Sequence, residues 1–190
     1  MNKILGCLII TMLVAGCAYI DQNLQVAPTT NIATSSIGSG KPVELKVVDD
    51  RDQTIIGRRG SAYGPAAKIQ TNQDLAGLLR EAVADGLRRK GFALAQTGSP
   101  ASSMRVELRT LAYDASMGLW TAGNVGSAVV KVIATTPSGK TYEKSYRGQR
   151  EIRTAFVGSQ ETNANVINDA LSDALDQVFS DEELLKNLAE

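Results

Sequence analysis

Two clusters of charge come closest to chemistry in this 190-residue chain. Asp49-Asp50-Arg51-Asp52 sets three carboxylates and a guanidinium on consecutive positions, and Gly57-Arg58-Arg59-Gly60 sets two guanidiniums between glycines. Crowded carboxylates could hold a cation, but calcium needs oxygen ligands spaced around a turn and a closing Glu, and neither is present. A solvated turn with an internal Asp–Arg pair is the plainer reading. The paired arginines suit phosphate or carboxylate oxygens, yet the rest of a phosphate-binding loop is missing. Trp120 is the single tryptophan and sits in the Gly-rich break Met117 to Asn124, between strands. An aromatic on such a loop anchors an interface or stacks on a sugar; folded back over a sheet edge, it would be core. Trp120, Arg58 and Arg59 are the candidate interaction residues. Tyr142 and Tyr146, four apart on one strand, serve equally as core edge or binding platform. The chain has no histidine, which removes Ser-His-Asp and Cys-His catalysis and His-based zinc sites. An enzyme would have to run on carboxylates such as Asp114 and Glu143, and nothing in the sequence pairs them. No catalytic residue, metal or cofactor is expected.

The remaining reactive side chain is a cysteine. Lys3 precedes an apolar run from Ile4 to Leu13, closed by Val14-Ala15-Gly16-Cys17. A positive start, a short apolar stretch and small residues before the break make a secretory signal. About a dozen apolar residues fall short of the roughly 20 that span a membrane. The Val-Ala-Gly-Cys ending resembles the lipobox of bacterial lipoproteins, which implies cleavage before Cys17 and acylation of its thiol. The alternatives are a plain signal peptide or an uncleaved anchor. Ala18 follows the cysteine. The acidic residue that marks inner-membrane retention in enteric lipoproteins is therefore absent, which implies the outer membrane, with the domain facing the periplasm. Cys7 leaves with the signal, so the folded part carries no thiol for a disulfide or a thiolate metal site.

Charge balances at 20 basic and 20 acidic residues, so no nucleic-acid partner is implied. The expected organisation is a signal peptide over 1–16, a lipidated cysteine and flexible tether over 17–41, and a single α+β periplasmic domain over 42–190. The tether reading rests on Gln, Asn, Thr, Ser and Gly with one charge, Asp21. Were this segment to pack along the domain, Leu24 and Val26 would be its contacts.

Behind these residues stand the elements that must position them. Val43-Glu44-Leu45-Lys46-Val47 alternates like a half-buried strand and runs into Asp49-Asp50-Arg51-Asp52, Ile55-Ile56 and Gly57-Arg58-Arg59-Gly60; from there to Gln70 the chain reads as loop. Leu75, Leu78, Leu79, Ala82, Val83 and Leu87 form one helical stripe, with Thr71 and Asp74 as a capping-box variant and Gly91 as the left-handed stop. A short strand at Phe92 to Gln96 follows, then a strand from Met104 to Tyr113. The most apolar strand, Val125 to Thr135, looks central, and Lys140 to Ile152 returns beside it after Pro137-Ser138-Gly139. Glu161 to Phe179 carries a second helical stripe. Ser180 with Glu183 opens a short last helix. Consecutive strands with short breaks favour antiparallel pairing. The expected fold is an α+β two-layer sandwich: a mainly antiparallel sheet of four to five strands with two long amphipathic helices on one face.

Several of these features together resemble the YajG family of Gram-negative lipoproteins. They are the lipobox, Val47-Val48-Asp49-Asp50-Arg51 leading to Ile56-Gly57, and the joint Asp74-Leu75…Leu78-Leu79…Gly91-Phe92. The strand Val129 to Ala134, Lys144-Ser145-Tyr146-Arg147 and the helix ending in Phe179-Ser180 complete the set. The resemblance covers nearly the whole chain after the signal and brings no catalytic residues. It implies an envelope lipoprotein of uncharacterised function. The expected role is a non-enzymatic interaction or adaptor module, held to the membrane by its lipid and binding another envelope protein or itself. The alternative is a binder of a muropeptide or lipid headgroup through Arg58, Arg59 and Trp120.

Overall fold

Period-two alternation builds the three longest strands, and they form the spine of the sheet. In the computed structural model, which describes residues 20–59, 66–96, 101–117, 122–154 and 158–190, they are β6 (Ser102–Met117), β7 (Ala122–Thr135) and β8 (Thr141–Thr154). Val106, Leu108, Val130, Val132 and Tyr146 point to one face and are buried. β6–β7 and β7–β8 are antiparallel. The register slips at Leu108/Thr110, which leaves Arg109 as the extra residue of a β-bulge.

The other edge of β6 is shared by two strands lying end to end. β2 (Pro42–Asp49) runs parallel to its first half and β3 (Gly57–Arg59) parallel to its second, joining at Gly57 opposite Tyr113. The charged turn Asp50 to Ile56 arches between them. β4 (Ala67–Gln70) pairs antiparallel with β3; β1 (Gln22–Asn23) and β5 (Ala93–Leu94) add parallel edges on β4 and β2. Four of the seven pairings are parallel. The expectation of a mainly antiparallel sheet of four to five strands with two long helices is thus overturned: among the described residues the sheet is mixed, eight strands contribute, and three helices are present. Adjacency in the chain suggested hairpins, but β2 and β3 find their partner in β6 across the intervening helix.

Helix α1 (Leu75–Arg89) begins at Asp74, whose Oδ1 accepts the Gly77 N–H at 3.1 Å. Thr71, expected as the cap, lies outside the helix. Gly91 takes φ +83° just beyond the end, a conformation that costs glycine least. Helix α2 (Gln160–Ser180) starts at Ser159 and packs on β7 and β8. It can settle there because Gly148 and Gly126 lack side chains: a Cβ at Gly148 would collide with the Ala170 carbonyl, and one at Gly126 with that of Val166. Helix α3 (Glu182–Leu188) follows at once. Its cap is Asp181, not Ser180, with Oδ1 accepting the Glu183 and Leu184 N–H groups at 3.1 Å each.

Residues 20–41, expected as a flexible tether, are instead a packed strap. β1 seats it on the sheet edge, and Leu24 and Val26 are fully buried. Beyond them the N–H groups of Ala27, Thr29 and Asn31 donate to Asn168 Oδ1, Ser172 Oγ and Asp176 Oδ1 on α2 at 2.8–2.9 Å. Two residues of extended chain rise about 6.6 Å and four of helix about 6 Å. Alternate strap amides therefore meet every fourth helix side chain. Ile32 then wedges beside Gly86 of α1, and the Ser35, Gly38 and Gly40 N–H groups bond the backbone at Arg89, Lys90 and Gly91.

Candidate functional site

The turn between β2 and β3 opens a cleft of about 490 Å³ against β6. Arg51, Asp52, Arg58, Arg109 and Asp114 supply its charge. Two of these five are already paired. Arg51 meets Asp49 with two parallel bonds, Nε to Oδ1 at 2.7 Å and Nη2 to Oδ2 at 2.8 Å. Arg109, on the bulge, pairs with Asp50 and lies 3.5 Å from Glu107. The Arg51 side chain is only 7% exposed and its Nη1 has no hydrogen-bond partner. Residues alternate along β3, so Arg58 is exposed at the cleft while Arg59 turns inward and is buried near Tyr113. The two arginines expected to act together face opposite sides of the sheet.

Beneath the cleft, Tyr113 donates to Asn124 Oδ1 at 2.6 Å, and Asn124 donates to Thr154 Oγ1 at 3.0 Å. Burial pushes the Tyr113 hydroxyl up to about 12, partly opposed by the Arg59 guanidinium. Tyr113 is a buried structural donor.

Asp114 and Glu143 are not brought together. Their register partners on β7, Val125 and Ile133, lie eight residues apart, roughly 27 Å of strand. Glu143 instead pairs with Lys131 at 2.7 Å. Trp120 and Cys17 fall outside the described residues. Among the described residues no group of three or more carboxylates is placed to hold a metal ion, and no helix is long and apolar enough to cross a membrane.

Sequence reasoning missed a polar knot where β8 meets the α2–α3 junction. Tyr142, Lys144 and Tyr146 share a strand face and all donate to Asp181 Oδ2, at 3.0, 2.5 and 2.8 Å. Burial alone would raise the Asp181 carboxyl, but the bonds from Lys144, the Leu184 N–H, Tyr146 and Tyr142 outweigh it and hold it at about 2. The signal was available as Tyr-x-Lys-x-Tyr. Its partner, 35 residues on, was not.

The outer edge of β8 is the other open feature. The Lys140 carbonyl accepts from Thr136 across the turn, so even-numbered residues of β8 turn their backbone groups to β7 and odd-numbered ones turn theirs outward. Arg147 O fits this parity: it accepts from Gln177 Nε2 of α2 at 2.9 Å. Among the described residues no other strand pairs with this edge. The outward side chains Glu143, Ser145, Arg147, Gln149, Glu151 and Arg153 are exposed. Beside the edge runs an acidic flank of α2, where Asp169 meets Arg150 at 3.4 Å and Asp173 and Asp176 line the same groove.

A protein-family model for uncharacterized lipoproteins matches residues 28–189 of this chain. The chain belongs to the YajG family of lipoproteins. Its similarity to the Escherichia coli K12 protein described as uncharacterized lipoprotein YajG is 24% identity, spanning 95% of this chain and 93% of that one. Among solved structures, a Xanthomonas campestris protein is 15% identical, covering 90% of this chain and 94% of its own, with a TM-score of 0.49. A minor lipoprotein from Acinetobacter baumannii is 10% identical, covering 75% and 91%, with a TM-score of 0.46. For rare lipoprotein B from Shewanella oneidensis the values are 12%, 75% and 96%, and 0.41. The shared family makes this YajG-family chain a lipoprotein and assigns no residue a chemical role.

Proposed function

We propose that this protein is acylated at Cys17, anchored in the outer membrane facing the periplasm, and serves as a non-enzymatic interaction module for another envelope protein or for itself. The observation that carries this reading is the outer edge of β8, with which no other strand pairs among the described residues. A long strand edge with free N–H and C=O groups is a template for a further strand. The missing histidine and the separation of Asp114 from Glu143 favour binding over catalysis. Gln22 is seated on the sheet only five residues after Cys17, at most about 18 Å of chain, so a lipid there would hold the domain close to the bilayer. Photo-crosslinking from position 149 of the lipidated protein, read by mass spectrometry, tests the module. A protein adduct is expected; adducts of lipid or glycan alone, or none, would overturn it. Cys17→Ser should release the protein from the membrane fraction.

One observation favours a second reading, a binder of a muropeptide or lipid headgroup. Arg51 offers an unpartnered buried donor beside exposed Arg58 in the cleft, and guanidinium groups suit anionic oxygens. Bound ligand would raise the melting temperature by mass action. A panel of muropeptides and headgroups that leaves it unmoved sinks this reading.

A further inference from the structure

The charge pattern along β8 is self-complementary, and from it we infer the occupant of the open edge: β8 of a second copy, running antiparallel about a two-fold axis at Gln149. The inference rests on the interaction-module reading and names its partner. In a two-fold interface residue i meets j and j meets i. With Gln149 on the axis, Arg147 lies opposite Glu151 of the copy and Glu151 opposite its Arg147. All four residues turn their backbone groups outward, so each pair also exchanges N–H···O bonds across the new ladder. The Gln177 bond to Arg147 O does not block this, because a carbonyl has two lone pairs. The two Gln149 amides meet at the centre.

The helix-facing side fits as well. Tyr146 falls opposite Ile152 of the copy, an aromatic–β-branched pair. Gly148, covered by α2, falls opposite Arg150 of the copy, which sets that guanidinium beside the acidic flank of the helix. Arg150 already lies 3.4 Å from Asp169, while Asp173 has no ion pair among the described residues. In the pair, each Arg150 bridges its own Asp169 and the copy's Asp173.

Neighbouring registers that keep the backbone parity lose these pairs. An axis at Gly148 sets Arg147 on Gln149 and exchanges the central Arg147–Glu151 pairs for Glu143–Arg153 pairs at the strand ends, and one at Arg150 sets that residue on itself. Axes at the other odd-numbered residues fare no better. An axis at Arg147 sets Arg147 on Arg147 and Glu143 on Glu151. One at Glu151 sets Glu151 on itself. An axis at Ser145 does pair Glu143 with Arg147, but it shortens the overlap and sets Lys140 on Arg150. Like charges placed directly opposite destabilise a strand pair.

Directly opposite residues in a hydrogen-bonded pair stand about 5.5 Å apart at Cα, within disulfide range. Gln149→Cys, made in the full lipidated protein and oxidised in cell envelopes, should give a disulfide-linked dimer, whereas Ser145→Cys and the parental protein should not. Arg147→Glu should lower the dimer fraction roughly tenfold, and adding Glu151→Arg should restore it, because the swapped charges pair again. That rescue also separates lost pairing from lost folding. Crosslinking from Ser145→Cys but not from Gln149→Cys would overturn this register and with it the proposal. A monomer whose position 149 captures a different protein would overturn self-pairing while sustaining the interaction module. A monomer that captures nothing from this edge would overturn both.

Discussion

Ser172 and Thr29 are 143 residues apart in sequence, yet the Thr29 N–H donates to Ser172 Oγ at 2.9 Å. The bond is one rung of three that fix the strap to α2, and Ser172 in turn donates to Asn168 O at 2.7 Å. Between β1 and Ile32 the strap has little cross-sheet pairing, so its Ala27, Thr29 and Asn31 amides depend on helix side chains.

Removing those acceptors should therefore loosen the strap before it harms the domain. Ser172→Ala should cost about 0.5–1 kcal/mol. With Asn168→Ala and Asp176→Ala added, hydrogen exchange should speed up at Ala27, Thr29 and Asn31 while β7 amides stay slow. Exchange that rises equally in both places would mean that strap and domain open as one unit. Leu24→Ala, which empties a fully buried site, should cost about 2–5 kcal/mol.

Two glycines should respond in opposite degree to one added methyl group. Gly148→Ala drives a Cβ into the Ala170 carbonyl of α2, which neither backbone can absorb. A loss of about 3 kcal/mol is expected in denaturant unfolding. Gly139 has open space around it but a φ of +88°, so Gly139→Ala should cost only about 1 kcal/mol. Equal losses would argue against close docking of α2.

Acid should test the Asp181 knot. Its carboxyl is held at about 2, below the ordinary 3.8, so its contribution is full above roughly pH 4 and is lost as pH falls through about 2. The difference corresponds to about 2 kcal/mol. Asp181→Asn should flatten that part of the stability–pH curve measured by denaturant midpoints. An unchanged acid slope in the variant would remove Asp181 as its source.

Tyr113→Phe should cost about 1–3 kcal/mol in thermal or denaturant unfolding. It leaves Asn124 Oδ1 buried without its 2.6 Å donor. Asn124→Ala combined with it should cost less than the two single losses added together, because each single change strands the other's polar atom.

The helices were legible because their information is local. Leu75, Leu79, Val83 and Leu87 repeat at helical spacing and are all buried. Long strands were legible for the same reason: Met104, Val106 and Leu108 alternate with charged residues. What escaped was pairing. The parallel ladder from Val43↔Ser102 to Asp49↔Leu108 leaves no mark in either strand alone, and Gly57-Arg58-Arg59 is too short to show a period. The strap escaped because polar composition reads as solvation, whereas here the polar groups belong to α2 and bond the strap's backbone. At the cleft, the Asp–Arg pair of the charged turn was readable and became Asp49–Arg51. That Arg58 and Arg59 face opposite sides became evident only once β3 was known to be a strand.

The strap also sets how force would pass into the domain. Its bonds to Asn168, Ser172 and Asp176 stand across its length, so tension drawn along it from the N-terminal end loads the three together in shear rather than peeling them one after another. β1 on β4 sits at the head of that line and takes the load first. The chain between Asp21 and Ile32 thus works as a riveted seam, passing a pull into the sheet edge and the longest helix at once.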